Sequence, residues 1–283
     1  MRNPQHTILI VCEGDNTEPL FFNSIRDLLK SGEFKIGDIE ITIRPEPRVE
    51  DNDEPEIASP HKQKRKQQQL RKVNTIHETE VITGIPPLKW VLEAQKDLAD
   101  GTFNEAWTVF DHDNHPARKE AFEAAKQEII GKKVNIAFSS ISFEYYLLLH
   151  FERIYYRFEK SECRMGKKLL NCNSGDCEHD CYGSKCVGGY LRNSGYFSGS
   201  TKVRKSVFPF IKDKLEIAFE NSAWLRLQSE QNEQDIPEYD RNPYITTDDI
   251  VKRLTGIETN WIWILTNKKY QFKNFAIFID NQK

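Results

Sequence analysis

Glu13, Asp111 and Asp113 are the residues of this chain whose type and setting most readily support chemistry. Each follows a short apolar run: Thr7-Ile8-Leu9-Ile10-Val11-Cys12 before Glu13, and Ala106-Trp107-Thr108-Val109-Phe110 before Asp111-His112-Asp113. Such runs read as buried parallel strands. The acids then stand at strand carboxyl ends, where open α/β sheets place their ligands. Adjacent strands lie roughly 4.8 Å apart, so the three carboxylates can converge. Hard oxygen ligands of this kind suit Mg²⁺ or Mn²⁺, and a metal so held polarises a phosphoryl oxygen or lowers the pKa of a bound water. Each motif also has a structural reading, since a carboxylate after a strand commonly caps a helix.

Other residues invite the same weighing. Glu144 follows a predicted strand end closely enough to be a fourth acidic ligand or a base that positions water; as a first-turn acid it would also complement a helix dipole. His150, inside Leu147-Leu148-Leu149-His150-Phe151, reads as a core histidine. His112 reads as part of a solvated loop, whereas the role of His115 is open between loop, phosphate contact and proton shuttle. Cys12 is a buried strand residue and no nucleophile.

Five of the six cysteines fall between positions 163 and 186. Cys172, Cys177, Cys181 and Cys186 form the most compact set, with Cys163 or His179 as alternates, and four soft ligands in a glycine-bearing loop fit a structural tetrahedral Zn²⁺. A reduced, metal-free loop is the other reading. Lys62, Lys64, Arg65, Lys66, Arg71 and Lys72 make a basic arm that can contact phosphates or remain a solvated charge run. Lys202 and Lys205, following Tyr196-Phe197, mix base and aromatic in a way that suits RNA.

These side chains need elements to hold them. Asn16 or Thr17 caps a helix carrying Leu20, Phe21, Ile25, Leu28 and Leu29, with Pro19 in its first turn. Residues 34–44 read as a second strand, and 48–84 as a mobile loop, acidic and then basic. Pro86-Pro87 open a helix through Trp90, Leu92 and Leu98; residues 117–130 form another, and 134–138 a further strand. A helix occupies the second half of 139–151. Later helices are expected at 203–219, 222–231 and 246–254, the last capped by Thr246 or Thr247 with Asp248 and Asp249 on its dipole. Residues 261–265 and 270–279 read as a closing hairpin. Strands alternating with helices imply an α/β fold with a mainly parallel sheet.

Composition is consistent with this. The chain has 283 residues, 38% of them hydrophobic, enough for a core. A net charge of −3 gives no global basic field, so nucleic-acid binding would rest on local patches. There is no apolar run of transmembrane length, no membrane partner is expected, and the start is too polar for a signal peptide. The chain reads as cytoplasmic, a compartment where clustered cysteines favour a metal site over disulfides.

Several blocks together carry a family resemblance. Val11-Cys12-Glu13-Gly14 with Thr17-Glu18-Pro19 and Phe22 resembles the "CEG-x-x-TE-P" opening of the RloB family, and Val109-Phe110-Asp111-His112-Asp113 its "vfDrD". Ser139 to Phe151 resembles its "SNPxFE-x-W-LLLHF" block, and Asn242-Pro243-Tyr244-Ile245-Thr246 its C-terminal "NPsT" helix. Tyr196 with Lys202 or Lys205 aligns loosely with a "GY-x-K" element. The family is similar to Toprim-fold proteins of the topoisomerase–primase and OLD-nuclease type. The resemblance implies a Toprim-like sheet flanked by helices, with Glu13, Asp111 and Asp113 on Mg²⁺ and Glu18 close by.

It further implies a metal-dependent nuclease acting on RNA (tRNA included) or DNA in bacterial antiphage defence, encoded beside an AAA/ABC-type ATPase. A catalytically silent module docking that ATPase through its zinc loop is the alternative, and self-association is left open. Where the family has Asn-Pro and Trp, this chain has Ser140-Ile141 and Tyr146, so the turn into that helix is expected to differ. The expected organisation is a core over 1–160, a cysteine-rich zinc-knuckle-like insertion over 161–190, and a helical region over 191–283.

Overall fold

The first apolar run forms strand β1 (His6–Cys12), held in parallel on both sides: Ile8 is paired with Ile41 of β2 (Ile39–Arg44), and Ile10 with Trp107 of β3 (Glu105–Asp111). A computed structural model describes residues 6–34, 36–46, 85–112, 115–162, 183–196 and 207–257. Ile8, Ile10 and Cys12 enter one core with Phe21, Phe22 and Ile25, while Leu9 and Val11 enter a second with Val91, Ala94 and Leu98. A strand buried on both faces has no polar side to show, which is why its sequence is continuously apolar.

Strand β4 (Val134–Ser140) pairs in parallel with β3, and the short β5 (Tyr244–Ile245) pairs antiparallel with β4, giving the order β2-β1-β3-β4-β5. Helix α1 (Thr17–Lys30) packs on the first core; α2 (Leu88–Ala99) and α3 (Arg118–Ala125) pack on the second. The result is an α/β fold with a mixed, mostly parallel sheet covered by helices on both faces. From β1 the chain crosses to β2 on one side, while β3 lies on the other. The strand order therefore reverses between the carboxyl ends of β1 and β3, the position at which open sheets form a crevice.

Several expected boundaries are corrected. Strand β2 begins at Ile39 rather than at 34, because Gly37 turns the chain with φ +88°. Helix α3 stops at Ala125 rather than 130, where Ile129 and Lys132 close a turn through Ile130 and Gly131, both at positive φ. Residues around 139–151 yield the short α4 (Phe143–Leu148), and α5 (Val187–Asn193) follows later.

The expected helices at 203–219 and 222–231 become α6 (Phe208–Ile211), a 3₁₀ turn (Lys212–Lys214) and one unbroken α7 (Leu215–Asn232). Asn221 and Ser222, at the junction expected between the two helices, face inward; the Asn221 amide donates to the Leu149 carbonyl at 2.7 Å. Thr246 precedes α8 (Thr247–Thr255), but its hydroxyl bonds the sheet, accepting from Phe138 N–H at 2.9 Å and lying 3.2 Å from Ile136 O. Asp248 is fully buried and paired with Arg226 and Lys252, so it does more than face a dipole. The expected loop over 48–84 and the hairpin at 261–279 lie outside the described residues. No helix among the described residues is long and apolar enough to cross a membrane.

His150 is a core residue with one nitrogen bonded: Nδ1 lies 3.0 Å from Tyr146 O, and Nε2 has no partner. Burial lowers its pKa from 6.5 to about 4. The unfolded chain therefore binds the extra proton first as pH falls. The stabilisation is complete above the unfolded value and is lost progressively as pH drops from about 6.5 toward 4, amounting to about 3 kcal/mol. Denaturant titrations across that window should show the loss in the wild type and a flatter profile in His150→Gln; identical slopes would assign the loss to other groups.

Candidate metal centre

The sheet pairing continues one residue beyond β1, since Glu13 N–H donates to Val109 O at 2.9 Å. That bond turns the Glu13 side chain over the end of β3. Its Oε2 accepts the backbone N–H of Asp111 at 2.8 Å, and its Oε1 lies 2.5 Å from Nε2 of His115. Glu13 and Asp111 are thus brought together at the switch point, and the side chain of His115 holds Glu13 from the loop after β3. Trp90 meets the His115 ring at its edge, with centroids 5.6 Å apart.

Glu13 and Asp111 line a cleft of about 270 Å³ together with Asp15, Thr17 and Glu18 from the start of α1, and Ser142, Glu144 and Ser161. Glu18 and Glu144 are both largely buried there. Gly14 leaves room for Glu18, because a Cβ at this position would come within 2.4 Å of Glu18 Oε2. Burial, and then the nearby Glu18 charge, push the Cys12 thiol well above its ordinary pKa, in keeping with a core residue rather than a nucleophile. Across the cleft the Ser140–Ile141 peptide is cis where the family resemblance has Asn-Pro. Ser142 follows in extended conformation, and its hydroxyl donates to Glu144 Oε2 at 2.7 Å.

Among the described residues the cleft lining holds carboxylates, hydroxyls, Asn16 and backbone but no Lys, Arg or His, with the His115 ring on Glu13 at its edge. An all-oxygen, anionic donor set of this kind fits a hard divalent cation better than a soft one. Among the described residues no three His, Cys, Asp or Glu side chains group tightly enough to chelate one ion, and Asp113 lies outside the described residues. His112, expected in a solvated loop, is half-buried beside Phe138 with its N–H on Ser139 O at 2.9 Å. Burial foremost, and then Arg118, lower its pKa to about 4.

The other predicted residues divide between the fold and regions outside it. Cys186 is fully buried at the start of α5. Cys163, Cys172, Cys177, His179 and Cys181 lie outside the described residues, as do Lys62, Lys64, Arg65, Lys66, Arg71, Lys72, Lys202 and Lys205. Tyr196 is not in the cleft lining: its hydroxyl donates to Glu152 at 2.8 Å and its ring stacks on Phe151 at 4.5 Å. Ser142 and Ser161 are cleft residues that sequence reasoning missed. The position of Ser142, two residues before Glu144, was the one available signal.

Compared with known proteins, residues 8–254 match the family model described as "RloB-like protein", which covers most of the chain. No curated protein and no solved structure matches.

Proposed function

The chain belongs to the RloB-like family, and from that premise we propose that it is a Mg²⁺-dependent nuclease. Its substrates would be phosphodiesters of RNA, tRNA included, or of DNA, and its role that of effector in a bacterial antiphage system. The observation that carries this reading is the cleft where Glu13 and Asp111 meet, whose described lining is rich in carboxylates. A polyanion is repelled by such a wall unless a divalent cation stands between the two. Glu13, Asp111 and Asp113 would hold that cation, with Glu144 assisting. When bound, Mg²⁺ or Mn²⁺ stabilises charge on phosphoryl oxygens. The chain's own part is to keep Glu13 aimed, through Asp111 N–H and His115.

Affinity for the phosphate backbone is then assigned to the basic arm from Lys62 to Lys72 and to Lys202 and Lys205, and Zn²⁺ to the cysteine set as a structural ion. An AAA/ABC-type ATPase is the proposed protein partner. The test is incubation of the purified protein with tRNA, single-stranded RNA and duplex DNA in Mg²⁺ or Mn²⁺, with sequencing of the product ends. Cleavage should vanish on chelation and in Asp111→Asn. Undiminished cleavage under both conditions would sink the proposal. A second reading is a catalytically silent module that docks the ATPase through the zinc loop. Zinc and ATPase binding without Mn²⁺ affinity would favour it.

A further inference from the structure

We propose that Arg118 is a positioning residue of this centre, one whose guanidinium sets the loop after β3 and thereby the meeting of Asp111, His115 and Glu13. The inference rests on the metal site proposed above.

Arg118 opens α3, immediately after that loop, and its side chain is only 17% exposed. Its Nη1 donates to both His112 O and His115 O at 2.9 Å. Two carbonyls that belong to the two ends of the loop are therefore gathered on one nitrogen. The rest of the fork points away from the loop: Nε donates to Tyr239 O at 3.0 Å, and Nη2 to Asp240 Oδ1 at 3.0 Å. Those acceptors belong to the 3₁₀ turn (Glu238–Asp240) that leads into β5, so the loop is anchored to a distant part of the chain.

A planar guanidinium directs its donors at fixed angles, and four acceptors leave it little freedom. The loop ends so held carry the site's geometry. His112 N–H ties the first end to Ser139 O of β4, and the His115 ring at the second end lies on Glu13 Oε1, whose other oxygen accepts Asp111 N–H. Three of the four acceptors are backbone carbonyls and the fourth is the half-exposed Asp240 carboxylate, so the guanidinium fixes chain path rather than filling core volume. An ammonium is a point donor on a flexible stem and cannot reproduce the fork.

The test uses the full chain with Arg118→Ala and Arg118→Lys. Mn²⁺ affinity is read by calorimetry, and backbone amide exchange by mass spectrometry across the molecule. Both variants should bind Mn²⁺ about 10–100-fold more weakly, as loss of an outer ligand-orienting contact does. Both variants should stay folded, with melting temperatures lowered by roughly 2–8 °C. Faster exchange should appear in the peptide that spans Asp111, His112 and His115 and at the Glu238–Asp240 turn, and not elsewhere. Unchanged exchange in that loop peptide in Arg118→Ala would overturn the proposal, and so would full rescue of affinity by lysine, which keeps the charge without the fork. A wild type that binds no Mn²⁺ would refute the metal reading itself, while the exchange measurement would still decide whether Arg118 holds the loop.

Discussion

Glu13→Gln should eliminate measurable Mn²⁺ binding and lower cleavage by about 10³-fold, a barrier increase of about 4 kcal/mol, in a protein that remains folded. The substitution is close to isosteric. The amide oxygen can still accept Asp111 N–H, as Glu13 Oε2 does at 2.8 Å, and the amide nitrogen falls opposite His115 Nε2. Shape and backbone pairing are retained and the negative charge is lost. A hard cation binds an anionic oxygen far better than a neutral amide, so the loss falls on metal affinity rather than on folding. Calorimetric Mn²⁺ titration beside a thermal melt separates the two. Wild-type affinity in the variant would remove Glu13 from the ligand set, and a collapsed melt would show that its role is structural.

The second large effect concerns stability. Arg226→Ala should cost about 3–5 kcal/mol, the usual consequence of leaving one member of a buried ion pair behind. Asp248 has no exposed side-chain surface and is held by both Arg226 nitrogens, one bond being 2.9 Å, and by Lys252 at 2.7 Å. Arg226 also donates to Ile245 O at 2.7 Å, so a single guanidinium from α7 joins β5 to α8. Without it the Asp248 carboxylate keeps Lys252 alone, and β5 loses a tether. A fall in melting temperature of roughly 10 °C follows for a domain of this size. The double change Arg226→Met with Asp248→Leu should cost less than Arg226→Ala, because no fully buried carboxylate is left stranded and Lys252 keeps Asp249. A single variant that melts with the wild type would show that Lys252 suffices.

The parts of this fold that were legible in the sequence are those governed by burial. The runs before Glu13 and Asp111 are uninterrupted because both of their faces are covered, and that pattern put each acid at a strand's carboxyl end; that the two strands are neighbours is read from the fold. What escaped depends on where backbone carbonyls and side-chain hydroxyls turn. Thr246 has the composition of a helix cap but bonds to β4, and Asn221 and Ser222 stand at an expected helix junction while facing inward. The contact of His115 with Glu13 and the grip of Arg118 on the loop carbonyls follow from loop paths that no periodicity encodes. Asp113, most of the cysteine set and both basic runs lie outside the described residues, so their roles stay with the proposals.

The antiparallel closure of the sheet bears on the order in which the protein is made. Ser139, which stands beside Asp111 in the register of β3 and β4, is bordered on its other side by Ile245, and its hydroxyl is 2.8 Å from that of Thr247. Glu13 and Asp111 emerge from the ribosome well before β5, the strand that completes the sheet beside β4. A nascent chain therefore carries Glu13 and Asp111 for a time without the strand that closes β4. The edge of the sheet beside Ser139 is thus completed only after β5 has been made.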